Sequence, residues 1–164
     1  MKNNVAKDFV PNDFTLSLAL VDAIPVIIFC LNMIIVGKTI DSTLFIFGAI
    51  LCLWAGLAKV IWKIIVVLRK KNIWFLFVQM RLVMPIGLLM IIVSLLLNRN
   101  VISSLLIKIT NMPSLLFLIF GLFGMGLMMI FGFTLDGTKI KNNWIEQTTN
   151  IVAQLCFLFS LMIL

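Results

Sequence analysis

Histidine and tyrosine are both missing from the 164 residues, and cysteine occurs three times. Without histidine the chain loses the commonest general base and the commonest metal ligand. Cys30, Cys52 and Cys156 lie in apolar runs with no CxxC spacing, so they read as small buried hydrophobes rather than a redox or metal pair. HExxH, GxSxG, the P-loop and GxGxxG are all absent. Charge is scarce too. Only 12% of residues are charged, against about a quarter in an ordinary soluble domain, and 63% are hydrophobic, with a mean hydropathy of +1.22. A soluble globular fold is excluded on those figures. No cofactor or metal site is expected, and an enzyme is not the first expectation.

What is present is a series of apolar runs near the 20 residues that a bilayer-spanning helix needs. Five spans are expected, at 14–36, 44–68, 73–97, 114–135 and 143–164, forming an all-α integral membrane protein with one domain over 1–164. The runs are about twice too long for barrel strands and lack their alternation. The first run follows a polar stretch of mixed charge and is too long for a signal h-region, so it reads as the first membrane helix. Gly37-Lys38 is expected to end that helix, with Asp41-Ser42-Thr43 offering caps for the next. Arg69-Lys70-Lys71-Asn72 and Asp136-Gly137-Thr138-Lys139 are further tight turns, which make sequential helices antiparallel neighbours. In the longer connection, 98–113, Val101, Ile102, Leu105, Leu106 and Ile109 recur at helical spacing. A short helix lying in the membrane interface fits there.

The net charge of +7 invites a nucleic-acid reading, but the basic residues cluster beside the spans, and the positive-inside bias accounts for them. With 69–72 in the cytoplasm, ten Lys and Arg fall in or near that side and three on the other. The chain is therefore expected in the cell membrane, multi-pass, with the N-terminus cytoplasmic and the C-terminus outside.

Ionisable side chains inside spans are the candidate site. One at the centre of a membrane helix costs at least about 2.5–3.5 kcal/mol, so it is expected to face protein or water. Asp22, Lys59 and Arg81 each lie eight or nine residues from the inner end of their span, roughly 12–14 Å at the helical rise. Lys63 shares a face with Lys59 at i, i+4, and that face continues through Ala55, Cys52 and Gly48, as either a close helix contact or open space. Glu146, Thr149, Asn150 and Gln154 form a polar stripe on the fifth helix. Pro25 leaves the carbonyl of Val21 without its helical partner beside Asp22. Gln79 and Arg81 point nearly opposite ways, so only one of them faces inward. Gly121, Gly124 and Gly132 share a face of the fourth span that suits a neighbouring helix or an oligomer contact.

These residues are expected to line a cytoplasm-facing polar chamber that binds or translocates a small polar or anionic solute. The anionic preference comes from three bases (Lys59, Lys63, Arg81) against two acids (Asp22, Glu146). The alternative is a non-catalytic accessory or regulatory membrane subunit whose buried charges fix helix assembly. A lipid-modifying enzyme comes third, because the acid–base inventory is thin. Expected partners are the lipid bilayer, the solute, and a second copy or a partner membrane subunit. Nucleic acid is not among them.

Overall fold

The computed structural model describes residues 15–136 and 139–163, and every regular element among them is an α-helix. In chain order these are α1 (Leu16–Val21), α2 (Ala23–Ile40), α3 (Thr43–Arg69), α4 (Trp74–Leu97), α5 (Arg99–Ile109), α6 (Ser114–Thr134) and α7 (Ile140–Met162). Four stretches are long and apolar enough to cross a membrane: α1 with α2, then α3, α4 and α6. Their large apolar side chains are mostly exposed, as contact with bilayer lipid requires. At 23 residues α7 is long enough, about 34 Å, but its first half is polar, which keeps it out of that set. Within 98–113 the chain forms a helix, α5.

Local chemistry sets the ends. Thr15 caps α1 by accepting from the amide of Leu18 at 3.3 Å, and Ser42 caps α3 by accepting from Phe45 at 3.5 Å. Helix α2 does not stop at Gly37-Lys38 as expected. It runs on to Ile40 and is closed by Asp41 in the left-handed region (φ 45°), whose amide bonds back to the Gly37 carbonyl. Gly37 faces the Phe45 ring, which a methyl there would meet at an ordinary packing distance of 3.5 Å. Lys70 closes α3 in the same left-handed way (φ 49°). At Asp22 the helix breaks into α1 and α2, just where Pro25 removes the donor for the Val21 carbonyl.

Two antiparallel hairpins, α3–α4 and α6–α7, make the most extensive contacts, and α2 bridges them by touching both α3 and α7. Glycine allows each hairpin to close. A methyl on Gly48 would sit 2.7 Å from the Gly87 carbonyl oxygen, and one on Gly87 would meet Cys52 Sγ at 2.7 Å. The Gly48–Cys52–Ala55 stripe is thus a helix contact and not open space. Gly121 and Gly124 likewise take Phe157 and Ala153 of α7, whereas Gly132 has nothing within 4 Å.

Candidate functional site

Asp22, at the α1–α2 break, is 3% exposed, and Lys63 of α3 is 1% exposed. Lys63 Nζ stands 3.0 Å from Asp22 Oδ2. The contact is ionic and does not meet hydrogen-bond alignment at that oxygen. The same ammonium donates to Asn143 Oδ1 of α7 at 3.0 Å. One cation therefore ties three helices that are distant in sequence. Lys59, one turn away on α3, lies 3.9 Å from Asp22 Oδ1 with its side chain 28% exposed, so it borders the centre without being sealed in it.

The geometry follows from the packing. Leu18 of α1 is fully buried against Trp62 and Val66, one residue before and three after Lys63, which holds the Asp22 end of α1 against α3. Trp62 is itself fixed by donating from Nε1 to Asn72 Oδ1 at 2.9 Å and by lying 4.9 Å from the Phe77 ring. The α3–α4 turn therefore orients the face on which Lys63 points inward.

The other expected site residues divide. Glu146 is half-buried one turn along α7 from Asn143. Arg81 is exposed on α4 and stacks on Phe77, with its guanidinium carbon 5.0 Å from the ring centre, while Gln79 is the buried member of that pair. The structure thus does not bring Arg81 together with Asp22, Lys59 and Lys63. Without it, two bases and two acids remain, and the excess of positive charge behind the anionic preference is gone. Thr149 and Asn150 are half-buried, and Thr149 lines a shallow groove with Phe120, Phe123 and Thr148. Gln154 is buried farther along α7, where Asn32 donates from Nδ2 to its Oε1 and to its backbone carbonyl, both at 3.2 Å.

Sequence reading passed over Asn32, Asn143 and Gln147, all nearly fully buried. Asn143 and Gln147 lie at helical spacing from Gln154 and flank the Glu146 stripe, so the signal was an extension of that polar face by one residue on each side of Glu146's turn. Gln147 Nε2 and Gln79 Oε1 are buried without a hydrogen-bond partner. At the opposite ends of the helices, Ser114 donates to the Ser160 carbonyl at 2.7 Å, Ser160 donates to the Ser114 carbonyl at 3.0 Å, and Ser94 donates to Ser42 Oγ at 2.8 Å. Polar links therefore occur at three levels, with the ionic one at the α3–α4 turn end. Asp22, Lys59 and Lys63 line neither the groove beside Thr149 nor the one between α2 and α3.

Comparison with protein-family models, with curated proteins and with solved structures finds no match.

Proposed function

We propose that the chain is a non-catalytic accessory membrane subunit, a single membrane domain whose buried ionic centre fixes the arrangement of its helices. It crosses the membrane five times, α7 included, with the N-terminus cytoplasmic, the C-terminus outside and α5 in the outer interface. The observation that carries this reading is Lys63, 1% exposed and held at 3.0 Å by both Asp22 and Asn143. An ammonium so enclosed has its charge balanced by protein groups. It serves helix register rather than solute capture.

A second reading, a chamber for a small polar solute, draws support from Lys59, whose partly exposed side chain borders Asp22, and from the unpartnered Gln147 Nε2. The decisive experiment replaces the charges without creating a lone one. Asp22→Leu with Lys63→Met should insert, fold and support the host phenotype as wild type does. If that variant folds but loses the phenotype, and if Lys59→Met removes a thermal stabilisation that a panel of small metabolites gives the wild type, the chamber reading takes its place.

A further inference from the structure

Helix α2 is committed on one side to α7 through Asn32, and α3 is committed to α4 through Gly48. Between these commitments the two helices part. They meet near the middle of the membrane, where a methyl on Gly56 would touch Val26 at 3.0 Å, and again by the α2–α3 turn, where Gly37 faces the Phe45 ring. The gap between those contacts is a side-opening groove of about 330 Å³. Phe29, Met33 and Ile34 form one wall, and Ile46, Ala49 and Leu53 the other. Lys38 stands among the lining residues at the turn end, exposed, and makes no ion pair with any described residue. Asp41, the acid nearest in sequence, is not part of the lining.

We propose that this groove holds one acyl chain of an anionic phospholipid whose phosphate rests on Lys38. A gap of this size opening sideways in a lipid-facing surface is filled by a chain, because bare walls forfeit their dispersion contacts. Apolar walls accept any lipid. Selection comes from the Lys38 ammonium at the level where a headgroup phosphate lies, and a single lysine near the surface favours an anionic lipid by about five-fold. The lipid belongs to the leaflet on the side of the α2–α3 turn. The site is separate from the Asp22–Lys63 centre and does not depend on its role.

The test uses the full chain in mild detergent with phosphatidylglycerol or phosphatidylcholine carrying a diazirine on one acyl chain, at equal concentration. Photo-adducts on peptides containing Met33 and Ala49, with phosphatidylglycerol favoured about five-fold, are expected. Lys38→Gln should bring the ratio to about one while leaving the phosphatidylcholine yield unchanged, and Arg99→Gln should leave the ratio as in wild type. Because Lys38 is exposed, its replacement does not threaten folding. Absence of adducts on those peptides, equal yields from both lipids in the wild type, or a preference that survives Lys38→Gln would each overturn the proposal. So would cross-linking of those peptides to a second copy of the chain in place of lipid.

Discussion

Lys63 pairs with Asp22 at 3.0 Å, while Lys59, one turn farther from the α3–α4 turn, stays at 3.9 Å. The long lysine stem allows this, since it can reach along the helix to a carboxylate at another level. The carboxylate has no such reach, so its position is dictated by the break before α2.

Removing either member of the enclosed pair should be costly. Lys63→Met is expected to destabilise the protein by up to about 3–5 kcal/mol, because buried Asp22 loses its enclosed partner and keeps only the partly exposed Lys59 at 3.9 Å. Asp22→Leu with Lys63→Met should recover much of that loss. Lys59→Met, with its side chain partly exposed, should cost about 1 kcal/mol or less. Reversible unfolding in mixed micelles measures all three, and a Lys59→Met loss as large as that of Lys63→Met would show the pairing assigned to the wrong lysine.

Arg81→Leu removes a stacking contact with Phe77 and nothing from the ionic centre. A change of about 0.5–1 kcal/mol is expected in the same assay. Strong coupling between Arg81→Leu and Asp22→Leu in a double-mutant cycle would place Arg81 back beside the carboxylate.

The glycines give opposite signs in the two hairpins' contacts and beyond them. Gly87→Ala forces its methyl into Cys52 and should lose about 1–3 kcal/mol. Gly132→Ala meets nothing within 4 Å and should gain up to about 1 kcal/mol from helix propensity alone. Thermal melts of the two variants in one detergent provide the comparison.

Asn32→Leu strands Gln154 in an apolar setting and should cost on the order of 0.6–1.7 kcal/mol, the range of hydrogen bonds between membrane helices. Adding Gln154→Leu should restore part of it. A purely additive double mutant would show that the two amides do not depend on each other.

Five crossings require that Lys70 and Asn100 lie on opposite sides, and also Asp136 and Ile163. Single cysteines at these positions, with the native cysteines replaced, should label from opposite sides of the membrane with an impermeant reagent. Same-side labelling of the second pair would remove α7 as a crossing and leave four.

The helices themselves were largely legible. Spans expected at 44–68, 73–97 and 114–135 appear as Thr43–Arg69, Trp74–Leu97 and Ser114–Thr134, because apolar run length and turn chemistry are local properties. The end of α2 was misplaced for a reason of the same local kind. Glycine is the usual left-handed terminator, yet Asp41 takes that conformation here, as a short polar residue that can bond locally to the backbone is able to do.

Composition and hydropathy by themselves determined that this chain is helical and apolar enough for a membrane, and that Asp22 and its basic neighbours needed an explanation. Which base answers Asp22 was a tertiary decision. Sequence supplies depth along a helix axis, and on that coordinate Arg81 and Lys59 matched Asp22 better than Lys63 did. The rotation of each helix about its axis is set by packing: Gly48 against Gly87, and Leu18 against Trp62 and Val66. That rotation turns Gln79 and Lys63 inward and Arg81 outward. It brings Asn143, invisible as a site residue in the sequence, to within 3.0 Å of the ammonium. Charge balance at the centre is therefore a property of how the helices pack and not of how many charged residues the spans contain.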